Sequence, residues 1–408
     1  MKLPPAKPED VGLSTQRLAR IRPWMARYVD SGRLPGMLVG IARGGHLVWL
    51  EGYGAADLKT GRKVARDTVF RIYSMTKPLT SACLMSYFEE GLFQLDDPVA
   101  KFLPEFADTP VWAGSGPITN TVPQESPMKI WHLLSHTSGL VYGNRNGTPV
   151  GQRHQELGVE FSARRNDGDL AEMTRRAASV PLAFQPGTRW EYSIATDVLG
   201  RLVEVIAGKP LDQALAERVT GPLKMKNTAF QVRPDQVERL AALYTVKDGG
   251  LVETDRPETS SWAKPITLFS GGGGCVGTID DYLTFCEAMR LGGEVDGRRI
   301  LGRRTVELMA LNHMPEGRDL AAMGQPVFSE TSYEGTGFGL GFSVVLDAAA
   351  TKGALSEGEI AWGGAASTAF WIDPAEEISV VLMTQALPSS SYPIRRELRA
   401  LVYQATID

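Results

Sequence analysis

The run Val69-Phe70-Arg71-Ile72-Tyr73-Ser74-Met75-Thr76-Lys77-Pro78-Leu79-Thr80 decides how the rest of the chain is read. A β-branched and aromatic segment gives way at Ser74 to an apolar-patterned helix carrying Cys83, Leu84, Tyr87 and Phe88. The spacing predicts a strand over 68–73 and a helix continuing past Glu90 to Leu92. Helix residues three apart share a face, so the Ser74 hydroxyl and the Lys77 amine should emerge side by side. A lysine kept neutral by burial can take a serine proton, and a helix start aims free backbone N–H groups at a developing oxyanion. Ser74 is therefore the candidate nucleophile and Lys77 its candidate base.

Chance makes Ser-x-x-Lys common, and the pattern occurs twice more. Ser126-Pro127-Met128-Lys129 reads as an N-cap with proline at the first helical position. Ser261-Trp262-Ala263-Lys264 runs into Pro265 with no helix beyond it. Neither needs a catalytic role. The two histidines His132 and His136 stand at i and i+4, but no glutamate lies between them and no third ligand is evident. They read as core or loop-bracing residues, and no metal or organic cofactor is implied. No G-x-S-x-G elbow occurs, which argues against an α/β-hydrolase.

Two further elements accompany the Ser74 motif. Pro186-Gly187-Thr188 makes a turn, after which Trp190-Glu191-Tyr192-Ser193 leads into a helical pattern beginning at Asp197. Downstream, Trp362-Gly363-Gly364-Ala365 follows a short strand. Tyr142 and Phe338 are candidate pocket neighbours.

Working outward, residues 12–31 carry a helical pattern, and Met37–Ala42 and His46–Tyr53 read as a hairpin turning at Arg43-Gly44-Gly45. From about 106 to 265 the pattern is loops and helices with few strands. Helix is expected at 279–291 and 304–311 and over the closing 394–405. Strand is expected at 339–346, 360–363, 368–372 and 378–384. Strands at both ends predict an α/β (α+β type) fold: an antiparallel sheet built from the two termini, flanked by helices, with a mostly helical insertion. The expected domains are 1–105 with 266–408 for the sheet and 106–265 for the insertion, with the active site at the seam.

Bulk composition excludes other classes. The 408 residues are 43% hydrophobic and 22% charged, with 43 Lys and Arg against 47 Asp and Glu. Arg303-Arg304 and Arg395-Arg396 read as solvated helix charges, and no basic cluster points to nucleic acid. Cys83, Cys275 and Cys286 are too few and too irregular for a disulfide framework, so free buried thiols are expected. No stretch reaches ~18 consecutive apolar residues and no signal-peptide core opens the chain, so the expectation is a cytoplasmic protein outside the membrane. Nothing here sets the oligomeric state.

The three elements, in this order, resemble the penicillin-binding-protein and β-lactamase superfamily, and most closely its class C branch and the family VIII carboxylesterases. The His132–Leu140 stretch, the Gly271–Gly274 run and Gly337-Phe338-Gly339-Leu340-Gly341 are similar to the same family. The resemblance implies a β-lactamase/transpeptidase-like fold and Tyr192 as the residue that shuttles a proton to the leaving alkoxide. It also implies an oxyanion hole of the Ser74 and Ala365 N–H groups, with Trp362, Gly363 and Gly364 bordering the substrate. Where lactamases carry Tyr-x-Asn this chain has Tyr192-Ser193-Ile194, and Trp362 replaces a cation. Both departures favour neutral esters over anionic peptides or lactams. The expected function is hydrolysis of short-chain or aryl esters through an acyl-enzyme, with a small-molecule ester as partner. An acyltransferase to an alcohol, a β-lactamase or D-Ala-D-Ala peptidase, and an inactive penicillin-recognising binding module are the alternatives.

Overall fold

Strands β1 (Gly36–Arg43) and β2 (His46–Asp57) form the expected hairpin, with Gly44 and Gly45 at φ 58° and 85° in the turn. Only glycine takes two such left-handed positions without strain. The computed structural model describes residues 2–143, 147–159, 168–323 and 333–408.

Six more strands complete the sheet: β3 (Arg62–Lys63), β4 (Thr336–Phe338), β5 (Ser343–Val345), β6 (Ile360–Gly363), β7 (Ala369–Asp373) and β8 (Ile378–Met383). Their order is β4-β5-β6-β7-β8-β1-β2-β3, antiparallel throughout. The two ends of the chain meet where β1 pairs with β8, Leu38 opposite Met383 and Arg43 opposite Ile378.

Helices cover both faces of this sheet. Met37, Val39 and Ile41 of β1 pack with α1 (Ile21–Val29) and α5 (Ile394–Tyr403) through Trp24, Met25, Leu398 and Val402. The alternate residues Leu38 and Ala42 join the main core, with Ile279 and Leu283 of α4 (Ile279–Arg290). Burial on both faces explains why the central strands read as unbroken apolar runs. The helix after Ser74, α2 (Thr76–Glu89), is buried from Thr76 through Tyr87, and α3 (Ala195–Ala207) shares its core. All three cysteines are buried, and none of them forms a disulfide. No helix among the described residues is long and apolar enough to cross a membrane.

Several elements differ from the sequence reading. The 68–73 strand shrinks to Phe70–Arg71 and pairs with Val276–Gly277 instead of the main sheet, because Ile72 N–H is taken by the Cys275 carbonyl at 3.1 Å. The 339–346 run is a hairpin, β4 to β5, that turns through Gly339–Phe342, with Gly341 at φ 111°. Leu243–Lys247 and Gly250–Asp255 form a hairpin inside the stretch read as loops and helices, and Leu243–Lys247 pairs in parallel with Ala386–Leu387. Ser126 caps no helix: the nearest starts at Ile130, where the His132 side chain accepts the Lys129 N–H at 3.0 Å.

Candidate active site

Ser74 sits in a 3-10 turn, Tyr73–Met75, that feeds directly into α2. Tyr73 before it is held at φ 43°, a strained position for a bulky residue, with its ring packed edge-on against Trp262. The turn exposes little of the serine (4%) and none of Lys77 (0%).

The lysine Nζ meets three oxygens: Ser74 Oγ at 3.4 Å, Tyr142 OH at 3.1 Å and the Gly272 carbonyl at 2.6 Å. It also lies 4.6 Å from the centre of the Tyr192 ring. Lys77 donates to all three, so the amine is held within reach of the Ser74 hydroxyl. Gly272 is fixed from behind, since its N–H donates to Asp197 Oδ1 at 3.1 Å and Ser270 Oγ donates to the same oxygen. Burial raises the pKa of Asp197, opposed by the nearby Lys77 charge. The glycine run is thus a close crossing over the start of α3: a side chain on Gly271 would strike the Thr196 carbonyl at 2.6 Å, and one on Gly272 the Asp197 carboxylate at 2.5 Å.

Tyr192, just ahead of α3, is buried among aromatic rings. Its hydroxyl accepts the Trp362 indole N–H at 3.1 Å. Trp362 therefore does more than border the cleft, because its one donor is turned onto the tyrosine. His136 packs behind, 4.9 Å ring to ring from Tyr192, with Nδ1 3.1 Å from Ser193 Oγ. Burial, helped by the Lys77 charge, holds its pKa well below the usual histidine value. Among the described residues no metal-ligating cluster of three His, Cys, Asp or Glu occurs.

The Trp-Gly-Gly-Ala segment ends β6 beside Ser74. A side chain on Gly364 would meet the Ile72 carbonyl at 2.5 Å, so glycine lets this turn lie against the nucleophile loop. Among the described residues, neither the Ser74 nor the Ala365 N–H has a backbone acceptor. A cleft of about 410 Å³ opens here, bounded by Ser74, Tyr192, Trp362, Ala365, Tyr333 and Leu387.

The structure therefore brings Ser74, Lys77, Tyr192, Trp362, Gly363, Gly364 and Ala365 to one place. Sequence reasoning placed Tyr142 only in the neighbourhood; its bond to Lys77 depends on a long-range approach that no local pattern announces. The wall formed by Thr245 and 387–390 was missed, although Asp248-Gly249 is a hairpin signal that would have exposed the first of these strands. Arg395 is a correction: it is not a solvated helix charge but 8% exposed and part of the cleft, on the inner face of α5. Arg396 beside it is exposed, as read.

A sheet built from both termini, with a Ser-x-x-Lys pair, a tyrosine and a glycine-rich strand end around one cleft, defines a serine hydrolase of the β-lactamase fold. The chain belongs to the Beta-lactamase family, whose model matches residues 21–404. It is 35% identical over 367 residues to Protein Rv1367c of Mycobacterium tuberculosis, covering 89% of this chain and 88% of that one. Esterase EstB of Burkholderia gladioli is 34% identical, with 91% of each chain covered. The solved structure of EstCE1, described as a hydrolase with promiscuous acyltransferase activity, superposes with a TM-score of 0.81 at 31% identity. That match covers 95% of this chain and 99% of that one.

Proposed function

We propose that this serine hydrolase is a carboxylesterase acting on short-chain or aryl esters through an acyl-enzyme on Ser74. The observation that carries the reading is Lys77, wholly buried, with Nζ 3.4 Å from Ser74 Oγ and anchored by Tyr142 and the Gly272 carbonyl. Ser74 Oγ attacks the ester carbonyl carbon as its proton passes to Lys77. The carbonyl oxygen becomes an oxyanion held by the Ser74 and Ala365 N–H groups. Collapse breaks the bond to the alcohol oxygen; Tyr192 gives its proton to the departing alkoxide and takes up the one held by Lys77, so both residues return to their starting states. Water then attacks the acyl-enzyme by the reverse proton path and releases the acid.

Trp362 and Tyr333 give the cleft aromatic walls, which suits neutral acyl or aryl groups. The likeness to EstB supports an ester as the substrate. We assign the site to the seam between 1–105 with 266–408 and the inserted 106–265, since Tyr142 and Tyr192 come from the insertion and Ser74 and Trp362 from the sheet unit.

The test is hydrolysis of p-nitrophenyl acetate and butyrate by the wild type, Ser74→Ala and Lys77→Ala. Turnover lost in both variants is the expected result. Turnover that survives Ser74→Ala would place the nucleophile elsewhere. The description of EstCE1 supports one second reading, transfer of the acyl group to an alcohol. With an alcohol added, an ester product exceeding the free acid would favour transfer over hydrolysis.

A further inference from the structure

We propose that Arg395 is a positioning residue for the oxyanion hole, acting through the Gly364–Ala365 peptide; the proposal rests on the acyl-transfer reading above. The carbonyl of Gly364 and the N–H of Ala365 belong to one planar peptide unit and point in opposite directions when that unit is trans. Whatever holds the carbonyl therefore aims the N–H. Two donors hold it: Arg395 Nη2 at 3.1 Å and the Ser367 N–H at 3.1 Å. The same Nη2 reaches the Thr368 carbonyl at 3.0 Å, which also accepts the Gly364 N–H at 2.9 Å. The guanidinium thus closes the turn between β6 and β7 from behind.

Gly363 fits this role. A side chain there would lie 2.5 Å from Arg395 Nη2, so the first glycine of the motif makes room for the guanidinium. The second makes room for the Ile72 carbonyl and the nucleophile loop. The two glycines bring together the cation behind the peptide and the serine in front of it. The charge also acts along the peptide. A cation on the carbonyl draws electron density from the amide and makes its N–H a stronger donor to a developing negative oxygen.

Three properties separate this from simple packing. The contribution appears as oxyanion charge develops, so it should fall on kcat and not on KM. It requires a cation long enough for one nitrogen to reach both carbonyls, which the shorter lysine supplies only in part. It should also extend to any reagent that forms a tetrahedral oxyanion-like adduct on Ser74.

The experiment uses the full-length protein and its Arg395→Ala and Arg395→Lys variants. It measures kcat and KM on p-nitrophenyl butyrate, the rate of Ser74 labelling by a fluorophosphonate, and thermal unfolding to confirm folding. For Arg395→Ala we expect kcat and the labelling rate to fall about 10- to 100-fold, with KM within roughly threefold, less than the ~10²–10³ lost when an oxyanion donor is removed outright. Arg395→Lys should fall between. Millimolar guanidinium or ethylguanidinium should restore several-fold activity to Arg395→Ala, whereas equal sodium or ammonium should not. A folded Arg395→Ala with unchanged kcat would overturn the proposal, as would a loss confined to KM or one that guanidinium does not rescue. A wild type that neither turns over ester nor labels at Ser74 would instead overturn the esterase reading itself.

Discussion

Tyr142 gives the sharpest test of the lysine's role at the scale of single residues. Its hydroxyl and the Gly272 carbonyl are the two contacts that turn the Lys77 amine toward Ser74. Tyr142→Phe removes one of them without changing ring packing, so we expect kcat to fall about 10- to 100-fold, at or below the lower end of a full general-base contribution, with KM little changed. Steady-state kinetics on p-nitrophenyl butyrate would show it, and a KM effect alone would make Tyr142 a substrate contact instead. Gly364→Ala is argued from geometry in the same way. Its new methyl group would lie 2.5 Å from the Ile72 carbonyl, which is backbone and cannot rotate away. The strand end must retreat from Ser74, so kcat should drop by ~10²–10³ while the circular dichroism spectrum stays native.

Gly40 makes the corresponding case for elements. It sits on β1 directly beneath α4, and a side chain there would approach Leu283 Cδ1 at 2.7 Å and Ile279 Cδ1 at 3.0 Å. Helix and sheet pack closely because this position is bare. Gly40→Ala should destabilise by about 1–3 kcal/mol, the usual cost of overpacking, read as a lower urea midpoint at unchanged slope. Activity per folded molecule should be preserved, since Gly40, Ile279 and Leu283 do not line the cleft. The misread strand before Ser74 has a long-range cause. The 68–73 run looked like a sheet strand because it is rich in β-branched and aromatic residues, yet Arg71 is buried in a bond network with Asp255, Ala241 and Gln385 that draws the segment out of the sheet. Its partners lie about 170 or more residues away, beyond the reach of any local pattern.

For the whole molecule, buried histidines set a pH dependence of stability. Burial pushes His154 down to about 4, partly opposed by the Val141 carbonyl, and burial with the Lys129 charge pushes His132 down to about 4. Their ordinary value is about 6.5. Between these limits the unfolded chain holds more protons than the folded one, so the unfolding free energy falls as pH falls from about 6.5 toward 4 and levels off below. Buried Asp197 and Glu359, whose pKa values burial raises, act with the opposite sign and lose stability as pH rises through their titration. The histidine part is isolated by comparison with His154→Gln. Urea midpoints measured from pH 7 to 4.5 should decline less steeply in that variant than in the wild type, and an identical slope would exclude His154 as a contributor.

The hairpin at Gly44-Gly45, the terminal strands and the Ser74–Lys77 pair were legible because each is a local consequence of sequence: turn chemistry, burial on two faces, and three-residue helical spacing. So were Tyr192 and Trp362-Gly363-Gly364-Ala365 as candidates, each at the junction of one element with the next. The sequence by itself determined that these pieces exist and that the sheet draws on both ends of the chain. Only the tertiary structure decided that Tyr142 meets Lys77, that the Trp362 N–H turns onto Tyr192, that the Leu243–Asp255 hairpin walls the cleft and that Arg395 faces inward. The physical reason is the same in each case. A hydrogen bond between residues 65, 170 or 31 positions apart is fixed by how helices and sheet pack, and packing is a property of the whole core.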